Sequence, residues 1–199
     1  MSADRETLRA YAAQAQRYST LVSRDAPDRD LSAFMDALPK AAHVLDLGCG
    51  PGNSAAMMQA RGFSVIATDA SPEMVDLARA AGVTAEMASF DDLDAVDAYD
   101  GIWANFSLLH APRADLPRHL AACARALRPG GTFHIGMKTG TGAERDRYGR
   151  HYTYVTRSEL ERLIADAGLA TDAVREGRME GLTGAIEPFV ILRAAKPAP

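Results

Sequence analysis

Residues 44–52 read Val-Leu-Asp-Leu-Gly-Cys-Gly-Pro-Gly, and residues 65–69 read Val-Ile-Ala-Thr-Asp. The first stretch is an apolar run ending in a glycine-dense loop. A helical pattern follows, and the second stretch is another apolar run, closed by an acid. Together they make half of a nucleotide-binding βαβ unit. Gly48, Gly50 and Gly52 are spaced G-x-G-x-G. Without Cβ atoms they tolerate positive φ and let a ligand lie directly on the backbone. Asp69 ends the next strand, where a carboxylate either accepts from both hydroxyls of a ribose or caps the helix beginning near Ser71. Asn53 stands where the dinucleotide fingerprint G-x-G-x-x-G needs its third glycine. The loop therefore offers no pyrophosphate cradle, and a nucleoside without that diphosphate suits it.

Outward from this unit the chain alternates helix and strand. Leu8, Tyr11, Ala12, Ala15, Tyr18 and Val22 form one face of an amphipathic helix that ends before Asp25-Ala26-Pro27. A shorter helix is predicted over Leu31–Leu38. Strand 1 is Ala42–Leu47, its helix runs from about Asn53 to Arg61, and strand 2 is Ser64–Thr68. Ser71-Pro72 supplies an N-cap and a first-turn proline for the next helix, which Gly82 stops. Val83–Met87 reads as strand 3, and Tyr99–Ala104 contains strand 4. Pro112 opens a helix with Leu116, His119, Leu120, Cys123 and Leu127 on one face. Pro129-Gly130-Gly131 turns into strand 5, Thr132–Met137, and a polar loop follows from Lys138 to about His151. Thr156-Arg157-Ser158-Glu159 is a capping box. Its helix is stopped by Gly168, and two last strands fall near Ala173–Arg178 and Glu187–Ala194. The alternation implies an α/β sandwich with a mostly parallel sheet, and a ligand site at the carboxyl ends of strands 1 to 4.

The 199 residues suffice for one well-buried domain, and 47% of them are hydrophobic. With 22 Lys and Arg against 26 Asp and Glu, the net charge is −4. That balance argues against a nucleic-acid backbone as partner, since cationic patches supply most of such affinity. Cys49 and Cys123 lack metal-ligand spacing and read as unpaired thiols of a reducing compartment. No apolar run is long enough to span a membrane and the N-terminus lacks a signal-peptide core, so a cytoplasmic protein is expected.

The glycine loop and Asp69 resemble the first two motifs of class I S-adenosylmethionine-dependent methyltransferases, and the resemblance runs from about residue 10 to residue 193. It implies a single domain over 1–199, a three-layer Rossmann-like core over 42–194 and a helical lid over 1–38. It also implies a seven-stranded sheet whose last strand is antiparallel and inserted beside the fifth. The implied cofactor is S-adenosyl-L-methionine. Asp46 then faces the methionyl ammonium, Gly48, Cys49 and Gly50 form the backbone surface, and Asp69 holds the ribose, followed by Ala70. Met74 lies either against adenine or in the core. Ser89, Phe90 and Asp91 follow strand 3, where adenine sits. Many relatives carry an aspartate at the position of Ser89, so here Ser89 or Asp91 must take its role.

Asn105 opens the loop beside the transferred methyl. That loop lacks the Asn-Pro-Pro-Tyr type of motif that marks methylation of DNA bases or protein amides. His110 reads either as a general base or as a cap for the helix entered at Pro112. The segment 145–154 is dense in cationic and aromatic groups. Arg147, Arg150, His151 and Tyr152 either hold an anionic acceptor or form a solvated loop, and Tyr11 and Tyr18 complete the lid. His110, His151 and Tyr18 are the candidate catalytic groups. Methyl transfer from a sulfonium asks mainly for positioning of the acceptor, so no metal is expected. Two alternatives remain at this stage: a nicotinamide-dependent oxidoreductase, and a non-catalytic S-adenosylmethionine-binding regulator. The acceptor atom and the oligomeric state are not legible.

Overall fold

The computed structural model describes residues 4–22 and 25–198. Two helices, α1 (Arg5–Val22) and α2 (Arg29–Asp36), precede the sheet. Then come β1 (His43–Leu47), α3 (Asn53–Ala60), β2 (Ser64–Asp69), α4 (Pro72–Ala80), β3 (Ala85–Met87) and β4 (Tyr99–Asn105). The remainder comprises α5 (Leu116–Ala126), β5 (Leu127–Lys138), β6 (Ala143–Arg145), β7 (His151–Thr153), α6 (Arg157–Asp166), β8 (Ala170–Glu180) and β9 (Ile186–Ala195). Local chemistry sets several boundaries. Asp28 caps α2 by accepting from the amides of Asp30 and Leu31, Ser71 caps α4, and Thr156 caps α6.

Seven strands form one sheet in the order β3-β2-β1-β4-β5-β9-β8. The first five pair in parallel, and β9 runs antiparallel to both β5 and β8. This is the expected sheet, with its last strand inserted beside the fifth. Side chains alternate between its faces. Leu45, Leu47, Ile102 and Phe133 pack with Leu120 of α5 and Leu160 and Ile164 of α6. Val44, Val65 and Trp103 pack on the other face with Phe34 of α2, Met58 of α3 and Val75 of α4. Each fully buried side chain of this size contributes about 1.5–3 kcal/mol. No residue of α1 belongs to either core cluster. That helix lies instead across the carboxyl ends of the strands.

Four local differences from the sequence expectations have physical causes. The Val83 amide donates to Ala78 O, and the Gly82 amide to Arg79 O, so Val83 closes α4 in a Schellman-type stop and β3 begins two residues later. Leu127 already pairs with Tyr99, so β5 starts before Pro129-Gly130-Gly131 and carries an irregularity there. Pro112 leads into a 3₁₀ turn, Arg113–Asp115, and the α-helix proper begins at Leu116. The expected loop 138–151 contains a small hairpin, β6–β7, whose three-residue strands are too short to show a periodicity.

Candidate functional site

The three loop glycines all have positive φ, +77° at Gly48, +53° at Gly50 and +84° at Gly52, yet they do different work. A Cβ at Gly48 would lie 2.3 Å from Ser107 Cβ, and one at Gly52 would lie 2.8 Å from Ala78 Cβ. Those two glycines permit close packing. A Cβ at Gly50 would meet only the Tyr18 ring, at 3.5 Å. The Gly50 amide donates to Asp69 Oδ2 at 2.9 Å, and the Ser71 amide to Asp69 Oδ1 at 2.9 Å. Asp69 therefore shapes the loop, while the Ser71 hydroxyl caps α4. Each carboxylate oxygen retains a second lone pair for a ligand hydroxyl. Burial pushes the Asp69 pKa upward against these amide bonds.

Asp46 is 2% exposed, and its Oδ2 has no hydrogen-bond partner among the described residues. Burial and the nearby Asp69 charge push its pKa up to about 8. A buried carboxylate oxygen left without a partner beside a cavity is a place suited to a cationic ligand group. Cys49 donates its thiol to Gly50 O at 3.3 Å, and burial raises its pKa, so it stays protonated.

Two adjoining cavities open on this loop. The smaller, about 100 Å³, is lined by Asp69, Ala70, Met74, Ser89 and Phe90 among others. Ser89 caps the turn that follows β3: its hydroxyl and amide both donate to Asp92 Oδ2, at 2.8 and 2.7 Å. Asp91 pairs with Arg118 and lies outside the lining of either cavity. Phe90 packs edge-on against His119 beneath it, with ring centroids 5.5 Å apart.

The larger cavity, about 560 Å³, has Asp46, Cys49 and Gly50 at its floor and Tyr11 and Tyr18 of α1 above. Asn105, Phe106 and His110 line both cavities. His110 Nδ1 lies 2.6 Å from the His151 carbonyl oxygen, which can only accept, so the ring proton sits on Nδ1. Its Nε2 then accepts the Tyr11 hydroxyl proton at 2.8 Å. Burial, with Arg150 and Lys138 nearby, pushes the His110 pKa down to about 3, so the imidazole is neutral.

Arg150 is 3% exposed. Its Nε and Nη2 donate to Asp146 Oδ2 at 2.9 and 2.6 Å, and its Nη1 donates to Tyr11 Oη at 3.3 Å. The guanidinium stands 5.2 Å from the ring centroids of both Tyr11 and Tyr152. Lys138 Nζ lies 3.6 Å from the Tyr152 centroid and pairs with Glu187 at 2.5 Å. Asn105 Oδ1 accepts from His134 Nε2 at 3.0 Å, and His134 is stacked on Trp103 at 3.6 Å.

The structure thus gathers Asp46, Gly48, Cys49, Gly50, Asp69, Ala70, Met74, Ser89, Phe90, Asn105, His110, Tyr11, Tyr18 and Tyr152 around the cavities. It does not bring Asp91, Arg147 or His151 into their walls. Arg147 is exposed and bonds Tyr148 Oη. The His151 ring faces Thr153, while its backbone serves Thr7 and His110. Lys138 and the His134–Asn105 contact were not singled out from the sequence. Among the described residues, no group of three or more His, Cys, Asp or Glu is placed to hold a metal, and no helix is long and apolar enough to cross a membrane.

Residues 44–131 match the family described as a methyltransferase domain. The ubiquinone biosynthesis O-methyltransferase of Xanthomonas oryzae pv. oryzae is 34% identical over 110 residues, 51% of this chain and 45% of that protein. The trans-aconitate 2-methyltransferase of Methylobacterium nodulans is 38% identical over 120 residues, 57% of this chain and 45% of that protein. The chain thus spans about half the length of the curated relatives it matches. Among solved structures, the 1,6-didemethyltoxoflavin-N1-methyltransferase of Burkholderia thailandensis, with S-adenosylhomocysteine bound, has a TM-score of 0.76 at 24% identity. The match covers 96% of this chain and 88% of that one. The [4+2]-cyclase SpnF also has a TM-score of 0.76, at 17% identity, over 100% of this chain and 99% of that one. Residues 44–131 thus match a methyltransferase domain, and the chain as a whole shares the fold of solved S-adenosylmethionine-dependent methyltransferases.

Proposed function

We propose that the protein transfers a methyl group from S-adenosylmethionine to a small-molecule acceptor by in-line displacement. The observation that carries the reading is the unpartnered Asp46 Oδ2 beside the loop that the Gly50–Asp69 bond holds in place. Asp46 receives the ammonium, Gly48, Cys49 and Gly50 offer backbone, and Asp69 accepts from the ribose. Ala70, Met74, Ser89 and Phe90 surround the adenine, and Asp91 supports that turn from outside through Arg118. When bound, S-adenosylmethionine supplies an activated methyl with a neutral leaving group. The chain's own residues orient the acceptor and exclude water.

Tyr11, Tyr18 and Tyr152 form the acceptor chamber. Of the lid expected over 1–38, α1 covers the core of residues 42–194, α2 packs into that core through Leu31, Phe34 and Met35, and residues 1–3 and 23–24 lie outside the described residues. Arg147 and His151 belong to the outer support of that lid, with His151 acting through its carbonyl on His110. The fold alone does not decide the chemistry, since a protein named as a cyclase shares it. The reading is of a cytoplasmic, metal-independent enzyme off the membrane, and the net charge of −4 disfavours a nucleic-acid backbone as its partner. The test is transfer of a labelled methyl from S-adenosylmethionine across a broad panel of small acceptors. Labelled product together with S-adenosylhomocysteine supports the proposal. Tight cofactor binding without transfer to any acceptor would instead favour a binding protein.

A further inference from the structure

Resting on the methyltransferase reading above, we infer that the acceptor is a carboxylate, held by Arg150 and Asn105 and methylated on oxygen without a general base. Three observations lead there.

The first is the supply of donors. A guanidinium has five N–H groups. Asp146 and Tyr11 take three of those of Arg150, leaving two on a buried cation in the chamber wall. Asn105 gives its Oδ1 to His134, so its amide nitrogen is left to donate where the two cavities meet. A fork plus an amide donor matches the two oxygens of a carboxylate.

The second is the state of the neighbouring acids. Both oxygens of Asp30 receive donors from Arg175, Glu187 pairs with Lys138, and Asp28 caps α2. These three acids are engaged; Asp46 and Glu180 also line the cavity, Asp46 receiving the ammonium in the reading above, and Arg150 still has donors to offer.

The third is the lack of a usable base. The Nε2 lone pair of His110 already holds the Tyr11 proton, and the Tyr11 oxygen accepts from Arg150. A relay through Tyr11 would leave an imidazolium facing Lys138 of β5 and Arg150, with His151 and Tyr152 of β7 as its other neighbours. Two cations beside it disfavour that state. An alcohol or amine must lose a proton on methylation, whereas a carboxylic acid is already ionised at neutral pH. In the reaction, a carboxylate oxygen lone pair forms the C–O bond. The methyl carbon–sulfur bond breaks with its electron pair going to sulfur, and the negative and positive charges cancel. No proton moves.

The full-length protein and S-adenosylmethionine are incubated with aryl and short-chain mono-, di- and tricarboxylates, with catechol and with benzylamine. S-adenosylhomocysteine formation and proton release are both followed in weak buffer. The expected result is turnover of a carboxylate with no proton released per methyl and, at saturating S-adenosylmethionine, where Asp46 is already ionised, a rate flat between about pH 6 and 9. Arg150→Lys, which loses the fork but keeps the charge, should raise KM for that acid about tenfold or more while adenosylhomocysteine affinity holds. Transfer only to catechol or benzylamine, with one proton released, overturns the inference and leaves the methyltransferase reading intact. An unchanged KM in a folded Arg150→Lys protein also overturns it. Transfer to none of the acceptors overturns it as well, and a failure to bind adenosylhomocysteine removes the underlying reading too.

Discussion

The amide of Gly50 donates to Asp69 Oδ2 at 2.9 Å, so the tip of the glycine loop is tied to the carboxyl end of the neighbouring strand. One carboxylate therefore shapes the loop and also lines the smaller cavity, where the proposed function has it accept from the ribose. Asp69→Ala should weaken adenosylhomocysteine binding by about 1.5–3 kcal/mol for each charged hydrogen bond lost. It should also lower the melting temperature, because the amides of Gly50 and Ser71 lose their acceptor. Calorimetry and thermal unfolding on the same variant separate the two losses. Unchanged affinity would remove Asp69 from the site.

Gly48 and Gly50 should fail differently. In Gly48→Ala the new methyl would lie 2.3 Å from Ser107 Cβ, so the cost falls on stability, about 1–3 kcal/mol. Gly50→Val meets only Tyr18 near its Cβ, so the protein should fold, with some strain at positive φ, and lose adenosylhomocysteine. Unfolding curves and ligand titrations of both variants decide the matter. Normal binding by Gly50→Val would mean that no ligand approaches the backbone there.

Asp46 makes stability depend on pH in a direction unusual for a carboxylate. In the unfolded chain it titrates near 3.9, roughly the value of an exposed Asp. Folded and without ligand, it titrates at about 8. The folded state holds the extra proton between these values. Its contribution is present in full below the lower value and is lost as pH rises through the window, by at most about 1.4 kcal/mol per pH unit. Asp69 is shifted in the same direction, so Asp46→Asn should reduce the slope without abolishing it. An ammonium arriving beside Asp46 ionises it, so adenosylhomocysteine binding at neutral pH should release a proton. Titrations in buffers of different ionisation enthalpy measure that release, which Asp46→Asn should suppress.

The N-terminal helix is held at its edges. Thr7 Oγ1 accepts from the His151 amide at 2.8 Å, Tyr11 reaches His110, and Asp4 pairs with Arg145. With no residue in either core cluster, α1 is expected to open and close as a unit, and ligand should slow its amide exchange over residues 11–22. Full protection in the free protein would make α1 a fixed structural element, and would end the case for Tyr11 and Tyr18 as lid residues.

The glycine loop, the strand that Asp69 closes and most helix caps were legible in the sequence because each is written in a few adjacent residues. The site's upper wall was not. Tyr11 and His110 are 99 residues apart, and Asn105 and His134 are 29 apart, so their pairing follows from sheet order rather than from spacing. Within the cationic segment, Arg147 and Arg150 look alike in sequence. Asp146 accepts from the amides of Tyr148 and Arg150, and Gly149 turns at φ +88°, which directs Arg150 inward and leaves Arg147 outside. Ser89 and Asp91 differ in the same respect. The Ser89-x-x-Asp92 spacing is a capping-box signal that assigns the Ser89 hydroxyl to its own turn, whereas the pairing of Asp91 with Arg118, 27 residues on, is not visible without the fold.

The most direct test of the account is a calorimetric titration of the protein with S-adenosylhomocysteine and, separately, with NAD. The account predicts saturable binding of adenosylhomocysteine at one site, weakened by both Asp46→Asn and Asp69→Ala, and no binding of NAD. Binding of NAD in preference, or adenosylhomocysteine binding indifferent to both substitutions, would contradict it.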